Sequence, residues 1–351
     1  MSERKLNIAV LMGGPSAEHD VSLATGRVLI QHLDQSKYDI KPVTVSREVR
    51  ELLSGKSPPS LPTEARTSAV STALHQAQEA QIDVVFIAMH GEFGEDGRLQ
   101  GLLEFFDIPY TGSGVLASSL AMDKVKSSEL FRLHGLLVPA YTHFMRWEWE
   151  HHESIILDFL VQALGAPWVV KPVDRGSSVG VSIAQTTEAL RAAIQAVFQH
   201  SDHVMVQEHI QGAEVTCAVL HEDPRSEPWP LPPTQIIPKT KAFFDYASKY
   251  TPGATEEITP PRLHPAIIAQ VQATAVQAHK ILDCYGMSRT DMIVRDEKIY
   301  VLETNTIPGM TETSLYPQAA KAIGLEFSDL LDRLISAALR RHRVHHGSRT
   351  S

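Results

Sequence analysis

Leu6-Asn7-Ile8-Ala9-Val10-Leu11-Met12-Gly13-Gly14-Pro15-Ser16 is the stretch whose reading decides the fold class. An apolar run of strand length breaks at two glycines and a proline. A helix is predicted over 20–33, with Asp20 as its cap and Val21, Leu23, Val28 and Leu29 as its apolar content. Strand, glycine turn and helix in that order open an α/β domain built on a parallel sheet. A second buried strand, 83–89, ends in His90-Gly91-Glu92-Phe93-Gly94-Glu95-Asp96-Gly97, followed by a helix at 99–106 and a turn at 109–114. Polar motifs at the C-terminal ends of strands are where open α/β sheets bind ligands. Between the two strands, 44–67 reads mostly as loop and 68–81 has helical composition.

The chain continues as α+β. A helix is expected over 115–134, a strand at 168–171 with its return at 181–184, a helix at 187–200, and strands at 204–208 and 214–220. A proline-rich stretch covers 222–238. The irregular segment after it, about 239–257, is too long for a plain connection and reads as a functional lid loop. A helix at 265–283, strands at 290–294 and 299–303 around the turn 295–298, and an amphipathic helix at 327–339 complete the order, with a basic tail from 340 expected to fray. Three domains are expected, at 1–120, 121–215 and 216–351.

With 351 residues, 43% hydrophobic and 21% charged, the composition is that of an ordinary globular chain rather than a disordered one. Net charge −9 is the wrong sign for a generic nucleic-acid binder, and no apolar run approaches the ~18–20 residues of a membrane span. Two cysteines make no disulfide framework, and the N-terminus lacks the apolar core of a signal peptide. A cytoplasmic protein handling small molecules is expected.

The chemistry concentrates late in the chain. Asp291 and Glu303 sit on the arms of the hairpin, and a turn of three or four residues puts them within about one residue of opposite. Glu303 and Asn305 are two apart and share a strand face. Three oxygen donors without Cys or His suit Mg²⁺ beside phosphates, although a solvated sheet face with scattered acids fits the same pattern. The adjoining Thr306-Ile307-Pro308-Gly309-Met310-Thr311 offers backbone N–H groups and hydroxyls to an anion. Upstream, Gly176-Ser177-Ser178-Val179-Gly180 joins two strands and can fold over phosphates, or be a plain surface hairpin; it is not a Walker loop. Lys171 on the preceding strand needs an anion, and phosphate is the natural one. Lys124 could equally be a surface lysine. Glu208 and Glu214 could hold a nucleoside or face water.

Gly112-Ser113-Gly114-Val115-Leu116-Ala117 matches a dinucleotide fingerprint, but no acid follows about 20 positions on after a second strand. Seventeen histidines meet no metal-ligand spacing, and no Gly-x-Ser-x-Gly elbow occurs.

Taken together, the segments 13–18, 90–97, 176–180, 244–250, 289–291 and 303–311, then Ser314-Leu315, stand in one order, and the chain resembles the D-alanine–D-alanine ligases of the ATP-grasp superfamily over nearly its whole length. The resemblance implies an ATP-grasp fold with an N-terminal open parallel-sheet domain, and an enzyme joining two D-alanines at the expense of ATP, through an acyl phosphate, for peptidoglycan and cell-wall synthesis. It implies two Mg²⁺ ions, with Mn²⁺ as substitute, on Asp291, Glu303 and Asn305. It assigns nucleotide contacts to Lys124, Lys171, Gly176, Ser177, Ser178, Glu208, His209, Gln211, Glu214 and Lys249. Glu18 would take the first substrate's ammonium, within a network with Ser177 and Tyr250, and His90 would lie near its carboxylate. Arg289 and the Gly309 N–H would stabilise the oxyanion, and Ser314 with the Leu315 N–H would take the second carboxylate. Lys249-Tyr250 follows the dipeptide-forming pattern; D-lactate or D-serine as second substrate is the alternative, and a non-catalytic nucleotide sensor is disfavoured by the intact constellation. A homodimer is implied.

Overall fold

The structure is a computed structural model that describes residues 4–47, 81–176, 180–239 and 255–347, with side chains through 344. The helix expected at 68–81, apart from Gln81, and the interior of the 239–257 segment lie outside the described residues.

Among the described residues the strands form three sheets. The first is parallel, in the order β2-β1-β3, from β1 (Leu6–Gly13), β2 (Tyr38–Val45) and β3 (Val84–Ile87). The strand β2 was not expected; it is a half-exposed edge strand that carries Pro42, which an edge tolerates because the N–H that proline lacks is not needed for a ladder on the open side. Helix α1 (His19–His32) begins one residue before the expected start. Asp20 does not cap it: it lies in the first turn and pairs with Arg47 at 2.6 Å, while Glu18 occupies the cap position. Helix α2 (Arg98–Phe105) follows β3.

The single helix expected over 115–134 is two, α3 (Val115–Met122) and α4 (Lys124–Leu133). Asp123 between them is extended, and its Oδ1 accepts the N–H groups of Val125 and Lys126 at 3.0 and 2.9 Å. A capping aspartate thus ends one helix and starts the next, and the break turns Lys124 inward.

The second sheet is antiparallel, in the order β4-β7-β5-β6, from β4 (Tyr141–Met145), β5 (Trp168–Pro172), β6 (Ser182–Ala184) and β7 (His203–Glu208). Helices α5 (Arg146–Ala163) and α6 (Thr187–Val197) cover one face. There Leu160, Leu190, Ile194 and Val197 pack on Trp168, Val170 and Val206. Each fully buried aliphatic contributes roughly 1.5–3 kcal/mol. The residues between them, Val169 and Lys171, consequently point the other way, into a cleft.

The third sheet runs β11-β10-β8-β12-β13, with β9 beside β8. Its strands are β8 (Ala213–His221), β9 (Trp229–Pro230), β10 (Thr234–Pro238), β11 (Thr255–Ile258), β12 (Gly286–Arg295) and β13 (Lys298–Asn305). Residues 255–257, expected to be irregular, therefore belong to a strand, as does part of the proline-rich stretch. Helix α7 (Pro265–Ile281) packs Val271, Ala275 and Ala278 on Val215, Cys217 and Met292. Two more helices follow, α8 (Leu315–Lys321) and α9 (Phe327–Gly347).

The last helix returns to the first sheet, burying Leu330, Leu331, Leu334 and Ile335 in one core with Ile8, Val10, Phe86 and Ile87. It does not fray at 340: Arg341 lies 4.3 Å over the Tyr110 ring and donates to the Gly112 carbonyl at 2.6 Å. The architecture is mixed α/β, parallel at the N-terminus and antiparallel beyond it.

Candidate active site

The site begins with a register shift. The β12–β13 hairpin turns on two residues, Asp296 and Glu297, both at positive φ (49° and 62°), rather than on the three or four expected. Arg295 pairs with Lys298 and Met292 with Val301, so an unbroken ladder would set Asp291 against Leu302 and send Glu303 to the opposite face. A bulge intervenes between Asp291 and Met292. Beyond it Asp291 pairs with Glu303, Thr290 with Thr304 and Arg289 with Asn305. The extra residue is Leu302, and both Leu302 and Glu303 line the cleft although they are sequence neighbours. One bulge thus gathers Arg289, Asp291, Glu303 and Asn305 on one face, while Thr290, Met292 and Thr304 are buried on the other.

On that face Arg289 donates to both Asp291 oxygens, Nε to Oδ1 and Nη2 to Oδ2, each at 3.0 Å. Thr216 Oγ1 donates to Asp291 Oδ1 at 2.6 Å and Asn305 Nδ2 to Oδ2 at 3.2 Å. Burial opposes the Arg289 charge, yet the Asp291 carboxylate holds its pKa above the ordinary value. Among the described residues no group of three His, Cys, Asp or Glu side chains is placed to hold a metal ion. The set here is two carboxylates and an amide, whose hard oxygens fit a magnesium-type cation once the Asn305 amide presents its oxygen.

Facing this sheet across a cleft of about 860 Å³ are the side chains of the second sheet. Lys124 is buried; its Nζ donates to the Arg175 carbonyl at 2.5 Å and lies 3.3 Å from Glu303 Oε2. Lys171 is buried too. Burial lowers its pKa to about 8, with Glu303 pulling it up and Lys124 pushing it further down. Glu208, His209, Gln211 and Glu214 line the far end. Glu208 Oε1 accepts the Ala140 N–H at 2.8 Å, and the His209 N–H is bonded to the Pro167 carbonyl at 3.2 Å. The cleft therefore has a cationic middle, an acidic wall and a mixed polar end.

A second pocket, of about 320 Å³, opens beside the first sheet, lined by Ser16, Glu18, Gly91, Glu92, Arg175 and Gly176 among others. Glu18 is buried. A Cβ on Gly91, which stands at φ +72°, would lie 2.5 Å from Glu18 Oε2, so only glycine lets that loop pass the carboxylate. His90 is buried, and burial holds its pKa below the usual histidine range. Its Nδ1 donates to the Ile307 carbonyl at 3.1 Å and its Nε2 accepts from Thr25 Oγ1 at 2.9 Å, so both ring nitrogens tie α1 to the loop after β13.

That loop carries Gly309 and Ser314, which are neighbours: a Cβ on Gly309 would lie 2.9 Å from Ser314 Oγ. Ser314 precedes Leu315, the first residue of α8. Ser177, Ser178, Lys249 and Tyr250 lie outside the described residues. Of the other expected site residues, Lys124, Lys171, Glu208, His209, Gln211, Glu214, Asp291 and Glu303 line the cleft, Glu18 and Gly176 line the smaller pocket, and Arg289, Asn305, His90, Gly309, Ser314 and Leu315 line neither.

Two residues at the centre were not singled out by sequence reasoning. Glu95 Oε2 accepts the Gly91 N–H at 2.7 Å and Oε1 the Ile307 N–H at 3.1 Å. Burial raises its pKa to about 8, and the Glu18 charge adds to the shift. Its signal was its place in the 90–97 motif, though nothing local shows that it faces inward. Arg175, one residue before Gly176, carried no signal.

The N-terminal family model, "D-ala D-ala ligase N-terminus", matches residues 7–113, and "D-ala D-ala ligase C-terminus" matches 130–336. The chain is 41% identical over 331 residues to the D-alanine–D-alanine ligase of Syntrophotalea carbinolica, covering 94% of this chain and 95% of that one. It superposes with a TM-score of 0.76 on the crystal structure of D-alanine–D-alanine ligase from Bacillus anthracis complexed with ATP, at 32% identity over 97% of this chain and 99% of that one. The VanG D-Ala:D-Ser ligase from Enterococcus faecalis aligns with a TM-score of 0.77 at 32% identity, covering 95% and 100% of the two chains. On family models that span both halves and on identity sustained over almost its full length, the chain belongs to the D-alanine–D-alanine ligase family.

Proposed function

We infer that the chain joins two D-alanines into D-alanyl-D-alanine with ATP as the energy source, releasing ADP and phosphate for peptidoglycan precursor synthesis. The observation that carries this reading is the bulged hairpin. It gathers Arg289, Asp291, Glu303 and Asn305 on one strand face, from which Asp291 and Glu303 line a cleft that also holds two buried lysines, and Arg175 joins that cleft to the pocket that holds Glu18.

A carboxylate resists attack by an amine because it has no leaving group. A carboxylate oxygen of the first D-alanine bonds to the terminal phosphorus of ATP as the bond to the bridging oxygen breaks, leaving ADP. The amine of the second D-alanine then attacks the acyl carbon, phosphate departs with the former carboxylate oxygen, and the amine loses a proton. Glu18 is placed to fix the first ammonium. Lys124 and Lys171 would neutralise phosphates, which Gly176 and the two serines after it would approach closely. Glu208, His209, Gln211 and Glu214 would hold the nucleoside end.

Asp291, Glu303 and Asn305 would hold Mg²⁺, or Mn²⁺ in its stead, which neutralises charge on the transferring phosphate. Arg289 and the Gly309 N–H serve the oxyanion of the second step. Ser314 and the Leu315 N–H serve the second carboxylate. His90 acts by holding Ile307; Ser177 and Tyr250 would form the network with Glu18, and Lys249 would meet the nucleotide. The division at 1–120, 121–215 and 216–351, a homodimer and a cytoplasmic location belong to the same proposal. Among the described residues no helix is long and apolar enough to cross a membrane.

Phosphate release tests this reading. Release with ATP and D-alanine alone is the expected result; release only when D-lactate or D-serine is added would move the chain to the related ligases, and no release under any of these conditions would refute ligation.

A further inference from the structure

Phosphoryl transfer between two pockets needs charge at their seam. Among the described residues, Arg175 alone lines both the 860 Å³ cleft and the 320 Å³ pocket. We propose that Arg175 is a positioning residue that holds the terminal phosphate of the nucleotide at this seam, facing the amino acid. This rests on the nucleotide reading of the cleft and goes beyond it by naming the group that distinguishes a triphosphate from a diphosphate.

The residue is anchored at two levels. Its carbonyl accepts from the buried Lys124 Nζ at 2.5 Å. Its Nε and Nη2 both donate to the His200 carbonyl, at 3.1 and 2.8 Å. The third nitrogen, Nη1, is held only loosely: 3.3 Å from the Asp174 carbonyl, 3.7 Å from Asp174 Oδ2 and 3.6 Å from Glu92 Oε2. Glu92 is shared with Arg98 at 3.2 Å and lines the smaller pocket. With the side chain 24% exposed, ion pairs this long are weak and exchangeable. A phosphate oxygen carries more charge and gives a shorter, charge-assisted bond. The planar guanidinium can keep its fork on His200 while Nη1 changes partner, which an ammonium group cannot do. Gly176 extends the seam: a Cβ there would lie 3.0 Å from Glu18 Oε2, so the chain after Arg175 already touches the amino-acid pocket.

The test compares ATP with ADP, each with Mg²⁺ and without amino acid, by titration calorimetry on the full chain and on Arg175→Gln and Arg175→Lys. Arg175→Gln is expected to weaken ATP roughly tenfold or more while leaving ADP within about twofold, as loss of one charge-assisted contact to the terminal phosphate requires. Arg175→Lys should fall between. Equal weakening of ATP and ADP would reduce Arg175 to a strut and overturn the proposal, as would no weakening of either. If Arg175→Gln does not fold, Glu92→Gln decides: removing the competing carboxylate should tighten ATP and leave ADP unchanged, and unchanged ATP affinity overturns the proposal. Failure of the unaltered chain to bind ATP would instead refute the nucleotide reading itself.

Discussion

Asp291→Asn should lower turnover on the order of 10³-fold, the several kcal/mol that a divalent cation supplies at a transferring phosphate. The substitution keeps size and keeps an acceptor for Thr216, but removes the charge that faces Glu303 across the hairpin. It also strips Arg289 of its two-pronged partner. That loss costs about 2 kcal/mol of stability, since hydrogen bonds to charged groups are worth roughly 1.5–3 kcal/mol each and the amide still accepts one. A domain with an ordinary reserve of ~5–15 kcal/mol stays folded. Phosphate release and a thermal melt read the two effects separately. An unchanged rate would remove Asp291 from the ion site.

Glu95 should matter almost as much, for a different reason. Its carboxyl group joins the 90–97 loop beside Glu18 to the segment that leads to Gly309, through the Gly91 and Ile307 N–H groups. Glu95→Ala leaves both donors buried without a partner, at roughly 1–3 kcal/mol each. Displacing the reacting groups by even an ångström lowers turnover on the order of 10²-fold. Glu95→Gln separates charge from shape. The wild-type carboxyl titrates near 8 in the fold against 4.5 for the free group. A raised folded pKa means the contribution to stability is full below pH 4.5 and fades as pH rises through about 8. The stability of wild type relative to Glu95→Gln should therefore decline by a few kcal/mol between pH 5 and pH 9. Denaturant melts across that range measure it, and a flat difference would show that the buried carboxyl is ionised throughout.

The order of elements was legible where local signals were strong. The opening strand and glycine turn, the second buried strand and the late hairpin all lie where apolar runs and turn residues put them. Thr186, whose hydroxyl accepts the Ala189 N–H at 3.2 Å, starts its helix as a capping residue should. The break at Asp123 was hidden because apolar spacing runs unbroken through it, although the aspartate is a capping residue. Strand β2 was hidden by its polar, half-exposed alternation, and the continuation of the expected terminal helix past 339 by its charge: Arg341 is held by Tyr110 and Gly112, 231 and 229 residues away.

The site was legible as residue types in order, not as geometry. Alternation alone would have placed Asp291 and Glu303 on opposite faces, and the bulge at Leu302 that corrects this has no glycine to announce it. Glu95 and Arg175 owe their importance to loops that meet only in the folded chain. The pocket around Glu18 is built from the turn after β1, the 90–97 loop, the segment after β5 and the residues after α6, which no local window spans.

The path of a single oxygen atom tests the reaction most directly. D-Alanine labelled with ¹⁸O in its carboxyl group, supplied with ATP, should give inorganic phosphate carrying one labelled oxygen per turnover, because the carboxyl oxygen leaves with the phosphoryl group. Phosphate released without label, while D-alanyl-D-alanine accumulates, would contradict activation of the carboxyl by the nucleotide.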